Sequence, residues 1–291
     1  MRAAPFFAVY ALSAFASAAA PCSREIGAIC AGAEAVDEAA LVEALKGADI
    51  VILGERHDNP AHHEWQARLV AAIAPKGLAF EMVPREREDA ANAARASGAG
   101  LAAALDWANS GWPDWAMYAP IFAAAPEARI AGGAPPREAL NLAAREGAAA
   151  AFGAGAARFG LDAPLAGETR EAMLKEQEEA HCGALPETML PGMVEVQRLR
   201  DAAFAAAALR LAEAGAGPAA LITGNGHART DRGAPAYLRR AAPALRLLSV
   251  GMIEVAETGE AREETAPFDF VIHTPAHDRG DPCAALLERK G

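Results

Sequence analysis

Lysine is scarce in this 291-residue chain, and positively charged side chains as a group are outnumbered by negative ones. Lysine and arginine together number 27 against 38 aspartates and glutamates, which gives a formal net charge of -11 at pH 7. A protein that binds nucleic acid neutralises phosphate groups with basic side chains and needs the opposite balance. The charge therefore argues against nucleic acid as a partner.

Several catalytic and cofactor motifs are also missing. The zinc motif H-E-x-x-H fails after His63 and Glu64, because alanine stands at position 67. The segment 224–229 lacks the last glycine of G-x-G-x-x-G, and the chain has neither a P-loop nor a G-x-S-x-G serine elbow. These absences argue against zinc proteases of that type, dinucleotide and ATP sites, and serine hydrolases.

Cysteine is rare, and no two cysteines have the C-x-x-C spacing of a zinc ribbon or a thioredoxin motif. The four cysteines are Cys22, Cys30, Cys182 and Cys283. An even set permits disulfides in an oxidising compartment, with three possible pairings. The short spacing favours a loop closed by Cys22 and Cys30, while the other pairings stay open.

The first twenty residues have the layout of a secretory signal peptide. Arg2 precedes a mostly apolar stretch over 3–15, and the small residues 16–20 end in an A-x-A-like site at Ala18 and Ala20. We expect cleavage there and a periplasmic or secreted mature protein. A lipid anchor at Cys22 is the less favoured alternative, because Pro21 stands where a lipobox needs a small unbranched residue.

Six apolar runs of strand length alternate with helical segments, which is typical of a parallel sheet wound with helices. The runs are 49–53, 77–80, 128–131, 219–223, 245–250 and 268–273. About ninety residues between the third and fourth runs contain no convincing strand, and their pattern predicts a helix over 193–213. The sequence therefore predicts an α/β fold: a mostly parallel sheet flanked by helices, with a smaller all-helical insertion or cap domain.

The predicted domain organisation follows from these runs. Residues 1–20 form the signal peptide, 21–147 together with 216–291 form the α/β domain, and 148–215 form the helical insertion. The helices expected within 101–126 belong either to the cap or to the sheet domain.

Polar side chains follow three of the predicted strands at the point where each strand ends. Glu55 and His57 follow the first strand, Glu81 the second and His227 the fourth. Because the carboxyl ends of parallel strands meet at one edge of a sheet, we expect these groups to face one cleft. The alternative is a network of buried ion pairs that only ties the strand ends together.

The order and content of these motifs resemble the ChaN haem-binding family, which is similar to the wider Tiki and erythromycin-esterase-like superfamily. The resemblance runs from about Asp49 to Cys283. Its motifs are Gly54-Glu55-Arg56-His57-Asp58-Asn59-Pro60 with His62-His63, Ala79-Phe80-Glu81-Met82, Trp107, Gly111-Trp112-Pro113-x-Trp115-x-x-Tyr118-x-Pro120, Gln197-x-x-Arg200-Asp201-Ala202, Gly224-Asn225-Gly226-His227, Asp231-x-Gly233-x-Pro235 and Asp281-Pro282-Cys283.

The resemblance implies an exported bacterial protein that binds haem during haem or iron acquisition. It also implies a homodimer that encloses haem, and outer-membrane haem transport components as further partners. The implied fold, an α/β domain with a smaller helical one, agrees with the reading of the strands.

Two side chains are candidates for the axial ligand of the haem iron. Tyr118 is the first choice, because it falls within the family motif and a phenolate oxygen suits ferric iron. Trp112 and Trp115 could flank the porphyrin; alternatively, they only pack the helices against the sheet. His181, on the acidic helix of the insertion, is the second choice.

Two other functions compete with haem binding. In a metal-dependent hydrolase of the peptidase or esterase type, Glu55, His57 and His227 would bind a divalent ion and Glu81 would act as general base. In an interaction module, the polar cluster at the strand ends would be purely structural.

Overall fold

The computed structural model describes residues 20–215, 217–256, 267–281 and 283–284. Residues 1–19, which hold nearly all of the expected signal peptide, lie outside the described residues. In the described part of the chain, one sheet contains eight strands in the order β2-β1-β8-β7-β3-β6-β4-β5. The strands are β1 (Ile29–Ala31), β2 (Glu34–Val36), β3 (Ile50–Glu55), β4 (Gly77–Pro84), β5 (Arg129–Ala134), β6 (Ala219–Gly224), β7 (Leu247–Val255) and β8 (Phe270–Pro275).

Helices cover both faces of this sheet. They are α1 (Glu38–Lys46), α2 (Pro60–Ile73), α3 (Glu88–Ser97), α4 (Leu101–Ala104), α5 (Trp115–Ala124), α6 (Arg137–Glu146), α7 (Ala148–Phe152), α8 (Gly167–Ala180), α9 (Leu190–Glu213), α10 (Asn225–Ala228) and α11 (Ala234–Ala241). Short 3-10 turns lie at Arg85–Arg87, Trp107–Asn109, Ala156–Phe159 and Glu187–Met189. None of the described helices is long and apolar enough to cross a bilayer.

The six strands β3 to β8 are parallel, and β1 pairs antiparallel with both β2 and β8. Strand β3 shows why these strands read as unbroken apolar runs, since successive side chains point to opposite faces that are both covered. Val51 and Leu53 belong to the core shared with α1, α2 and α5. Ile50 and Ile52 belong to the core shared with α9 and α11. The predicted mostly parallel α/β sheet is confirmed.

Two helical regions bear on the predicted domain organisation. Helix α5, from the segment 101–126, packs against α2 on one face of the sheet. Helix α9, from the predicted insertion 148–215, packs against β4 and β5 on the other face. The sheet core therefore includes helices from both segments, and the domain boundaries themselves stay a prediction.

All four cysteines are paired. Cys22 is bonded to Cys30, which confirms the favoured pairing, and Cys182 is bonded to Cys283 across a sequence separation of 101 residues. The second disulfide joins the turn after α8 to the C-terminal segment.

Gly54 is a position where the end of β3 and helix α10 approach each other too closely for a side chain. A Cβ atom there would contact the Asn225 side chain and lie 3.1 Å from both the Ala228 Cβ atom and the Val250 carbonyl oxygen. We expect Gly54→Ala to lower the free energy of unfolding by about 1–3 kcal/mol, as overpacking does, when measured by urea denaturation. Gly226→Ala is the control, because nothing lies within 4 Å of a Cβ atom at that position; equal effects of the two variants would contradict the prediction.

Candidate functional site

The carboxyl ends of β3, β4 and β6 bring the predicted polar side chains to one place. Glu55 is the last residue of β3, Glu81 lies in the second half of β4, and His227 lies in α10, directly after β6. Both carboxylates and His227 are buried, whereas the side chain of His57 is 35% exposed. The structure thus unites the four residues that the sequence placed at this edge, with His57 facing the solvent.

Glu55 is the centre of the first half of this cluster. Its Oε1 atom accepts hydrogen bonds from His57 Nδ1 at 2.7 Å and from the Tyr118 hydroxyl at 2.9 Å. Its Oε2 atom lies 3.1 Å from His63 Nδ1. Burial by itself raises the pKa of Glu55, but the hydrogen bonds and charges of His57 and His63 outweigh it and lower that pKa to about 2. Glu55 is therefore a carboxylate at neutral pH.

Glu81 is the centre of the second half. Its Oε2 atom accepts hydrogen bonds from the Thr223 hydroxyl at 2.7 Å and from the Gly224 amide at 2.8 Å. Its Oε1 atom lies 3.8 Å from His57 Nε2 and 3.5 Å from His227 Nε2. Two imidazoles therefore face one oxygen of a buried carboxylate.

Gly224 leaves room for this arrangement. A Cβ atom at position 224 would lie 3.1 Å from His57 Nε2. The first glycine of the Gly224-Asn225-Gly226-His227 motif therefore provides room for the ring of His57.

Asp201 extends the cluster on the far side of His227. Its Oδ1 atom lies 2.7 Å from His227 Nδ1, so that nitrogen carries a proton and donates it. Burial raises the pKa of Asp201 to about 6, although the charge of His227 opposes the rise. The result is an alternating series of acids and imidazoles, Glu55, His57, Glu81, His227 and Asp201, along the edge of the sheet.

The stability of the fold should depend on pH through this series. The lowered pKa of Glu55 contributes stability that is present above 4.5 and lost as the pH falls toward 2. The pKa of His57 is about 9 instead of 6.5, because the Glu55 hydrogen bond and the Glu81 charge outweigh burial; its contribution is present below 6.5 and lost as the pH rises through 9.

We therefore expect the free energy of unfolding, measured in urea, to be higher near pH 5.5 than at pH 3 or pH 10. Asp201 makes the loss of stability at low pH smaller, because its raised pKa stabilises the fold below its ordinary value of 3.8. The His57→Asn variant should show a smaller fall between pH 6.5 and 10. An equal fall in the free energy of unfolding between pH 6.5 and 10 in the variant and the wild type would contradict the assignment to His57.

Sequence reasoning missed the full part played by three residues of this region, His62, His63 and Asp201. His62 and His63, which the sequence placed only within a motif, are both buried. His62 bonds the Arg56 amide and the Thr274 hydroxyl, and His63 lies against Glu55. Asp201 was noted only as part of a motif. Its signal was an acidic residue at the start of the alanine-rich half of α9, between Arg200 and a run of apolar residues.

The aromatic segment before and within α5 lies beside Glu55. Trp112 meets His57 edge-on with ring centroids 4.8 Å apart, and Trp115 packs between Trp107 and Phe122. Both tryptophans also contact the core under α2. Trp112 is therefore at the mouth of the cluster, whereas Trp115 belongs to an aromatic core.

Tyr118 has a different environment from the one expected of an iron ligand. Its side chain is fully buried, and its hydroxyl donates a hydrogen bond to Glu55. Burial and the charge of Glu55 raise the pKa of the phenol above its usual range, which disfavours phenolate. In this structure Tyr118 orients Glu55 and its hydroxyl is buried, and its role as iron ligand stays a prediction.

His181 is half-buried and lies at the end of α8. Its Nδ1 atom lies 2.7 Å from the Gln177 backbone oxygen, which can only accept, so Nδ1 carries the proton. Its Nε2 atom has no hydrogen-bond partner within the described part of the chain. A cavity of about 350 Å3 lies beside the last turns of α8, and its lining includes the carboxylates of Glu176, Glu179 and Asp201 but not His181.

Comparison with known families shows which family this chain belongs to. The family model described as haem-binding uptake, Tiki superfamily, ChaN matches residues 41–238, about two thirds of the chain. This chain is a member of that family. The match begins in α1 and ends in α11, so it contains every residue of the acid–imidazole series.

Solved structures are similar to this ChaN-family chain in fold. ChaN of Campylobacter jejuni, in a structure described as showing cofacial haem binding, is 18% identical with a TM-score of 0.65, over 84% of this chain and 95% of that one. The type III effector HopBA1 is 16% identical with a TM-score of 0.42, over 81% of this chain and 92% of that one. The first likeness supports the fold, and the second is too weak to carry an argument. No curated protein matches significantly.

The alternative of a divalent metal ion is not supported in this ChaN-family member. The described residues contain no group of three or more His, Cys, Asp or Glu side chains that could hold a metal ion. The reason is the pairing itself: Glu55 is taken by His57, His63 and Tyr118, and Glu81 separates His57 from His227. The predicted ligand set of Glu55, His57 and His227 therefore does not form one coordination shell.

Proposed function

We propose that this protein is an exported haem-binding protein that acts in haem or iron acquisition and holds the haem iron through His181. Haem binding follows from membership of the ChaN family. The ligand rests on one observation: His181 presents an unpartnered imidazole nitrogen near the surface. When bound, haem would supply a ferric iron that accepts a nitrogen ligand.

The orientation of His181 is the one that a metal-binding histidine needs. Such a histidine usually donates its second ring N–H to a carbonyl or carboxylate, which fixes the ring and the tautomer. The Gln177 carbonyl does this through Nδ1 and leaves the lone pair of Nε2 for iron. The two described tyrosines, Tyr118 and Tyr237, are both buried and offer no comparable atom.

Two further side chains suit the porphyrin. Trp112 is partly exposed at the mouth of the cluster, where its ring could lie against the macrocycle. Met189 is 50% exposed, which is unusual for so apolar a side chain, and it lies in the 3-10 turn Glu187–Met189, eight residues after His181. We assign Trp112 and Met189 to the apolar contact with haem.

The disulfides support export. All four cysteines are paired, as is usual in oxidising compartments and rare in reducing ones. We propose a periplasmic or secreted protein that forms a homodimer around haem and exchanges haem with outer-membrane transport components. Mass spectrometry of the exported protein would find its new N-terminus near Pro21.

The proposal is tested by titrating the purified mature protein with haemin and recording the absorption spectrum. We expect a saturable Soret band that differs from free haemin. Tyr118→Phe and Tyr237→Phe should both retain it, since neither phenol reaches the iron in this account. A spectrum that stays that of free haemin at every protein concentration would refute the proposal.

A second candidate function is ester or amide hydrolysis by the acid–imidazole series. The observation that favours it is the position of His57, 35% exposed and between two carboxylates. At neutral pH His57 is protonated, since its pKa is about 9. Glu81 could take a proton from the attacking water while His57 gives one to the leaving group.

This second function has a separate test. The protein would hydrolyse p-nitrophenyl acetate at a rate that His57→Asn and Glu81→Gln both reduce at least tenfold, with or without a metal chelator. Equal rates for the wild type and both variants would exclude it and leave haem binding untouched.

A further inference from the structure

The cavity beside the last turns of α8 has the size and the lining of a small-molecule site. Its volume of about 350 Å3 is in the range of pockets that bind small ligands. Met173 and Ala180 give it apolar wall. Polar residues of three helices, α8, α9 and α10, complete the lining: Glu176, Gln177, Glu179, Gln197, Asp201 and Gly226. Such a lining suits a molecule that has both an apolar and a polar part.

Asp201 presents one unused carboxylate oxygen in this lining. The residue is 1% exposed, and its Oδ1 atom accepts the hydrogen bond from His227. Its Oδ2 atom has no hydrogen-bond partner among the residues that the structure describes. A buried carboxylate oxygen without a donor is costly, because it has lost its hydration. A donor that enters the cavity would remove that cost.

Gln177 is a second buried side chain without a partner. It is 9% exposed and lies one helical turn after Met173, on the side of α8 that packs against α9. Its backbone oxygen interacts with His181, but no residue in the described part of the chain bonds to its side-chain amide. Because Gln177 lines the cavity, its amide oxygen is available to a donor there.

The charges of the lining favour a cation over an anion. Arg232 is the basic residue of the described lining. It donates from Nε to Glu176 Oε2 at 3.1 Å and from Nη1 to Asp231 Oδ2 at 2.9 Å, so carboxylates already balance its charge. Glu179 adds a further carboxylate at the rim, where its side chain is 64% exposed. A cation therefore meets acceptors in this cavity, whereas an anion meets only a guanidinium that is already paired.

We propose that this cavity binds a small organic cation through its primary ammonium group, with Asp201 Oδ2, the Gln177 amide oxygen and the Glu179 carboxylate as acceptors. A primary ammonium group has three N–H donors and no acceptor, which matches three acceptors without a donor among them. Its hydrogen bonds to carboxylates are of the strong, charge-assisted kind. The alkyl part of the ligand would lie against Met173 and Ala180.

The test titrates the isotope-labelled mature protein at pH 7 with four small probes, followed by NMR. n-Butylammonium should bind saturably and should shift the side-chain amide signals of Gln177. 1-Butanol lacks the charge, butyrate reverses it, and tetramethylammonium is a cation without N–H donors. Each of these three should bind at least tenfold more weakly. Equal binding of n-butylammonium and any one of them, or no binding of n-butylammonium, would overturn the proposal.

Gln177→Met separates binding from a structural role of the amide. The variant keeps the length of the side chain and removes its polar atoms. We expect the affinity for n-butylammonium to fall about fivefold. The free energy of unfolding in urea should stay the same or rise, because the buried amide has no hydrogen bond to lose. A loss of stability with unchanged affinity would show that the amide is structural and would overturn the proposal.

Two neighbouring glutamates of α8 provide the matched control. Both are exposed, but Glu179 lines the cavity and Glu178 does not. Glu179→Gln should weaken n-butylammonium binding about threefold, and Glu178→Gln should leave it unchanged. Equal effects of the two variants would mean that the general charge of the helix attracts the probe, which would contradict the proposal. None of these measurements involves haem, so their outcome does not depend on the proposed function.

Discussion

Replacing His181 by alanine is expected to weaken haemin binding by more than about 100-fold. Loss of an outer-shell partner of a metal ligand typically costs about 10- to 100-fold, and loss of the ligand itself should cost more. The fold should be unaffected, because the ring makes one hydrogen bond, to a backbone oxygen at the end of α8. Absorption titration measures the affinity, and far-UV circular dichroism checks the fold.

Glu178→Ala is the matched control for this variant. Glu178 is an exposed residue of the same helix, so its loss should leave haemin affinity within a factor of about two of the wild type, in keeping with the small effect of most surface substitutions. Loss of binding in Tyr118→Phe, with full binding in His181→Ala, would show that the phenol is the ligand after all.

Replacing Glu55 by alanine is expected to have the largest effect on stability, about 3–5 kcal/mol, which is typical when one partner of a buried ion pair is removed. The variant leaves His63 and the Tyr118 hydroxyl without their acceptor in a fully buried place. Urea denaturation at pH 7 measures the change.

Two other substitutions show whether the effect comes from the buried charge. Glu55→Gln keeps an oxygen acceptor and should lose less stability than Glu55→Ala. Glu43→Ala removes a carboxylate whose side chain is 74% exposed and should change stability by less than about 0.5 kcal/mol. A loss below about 1 kcal/mol for Glu55→Ala would mean that the cluster contributes little to the fold.

Much of the fold could be predicted from local pattern. All six predicted strands are present, and the helix predicted over 193–213 is α9, because buried parallel strands and long helices leave strong local signals. Strands β1 and β2 were missed. Each is three residues long, and they pair by hydrogen bonds at one end of the sheet rather than by an apolar run.

The candidate site was predictable where it depends on strand order and was not where it depends on side-chain packing. Glu55, Glu81 and His227 follow from the rule that parallel strands end at one edge. The burial of Tyr118 depends on how α5 packs over α2, which no short-range pattern encodes. The same packing brings His63 of α2 to Glu55, with ring contacts to Tyr118 at 4.4 Å.

The location of the iron is the central claim of this account, and a crystal structure of the haem-loaded protein tests it most directly. We expect His181 Nε2 bonded to the iron, the Tyr118 hydroxyl still donating to Glu55, and the Cys182–Cys283 disulfide intact beside the ligand. Iron bonded to the oxygen of Tyr118, or to His57 in the cluster at the sheet edge, would contradict it.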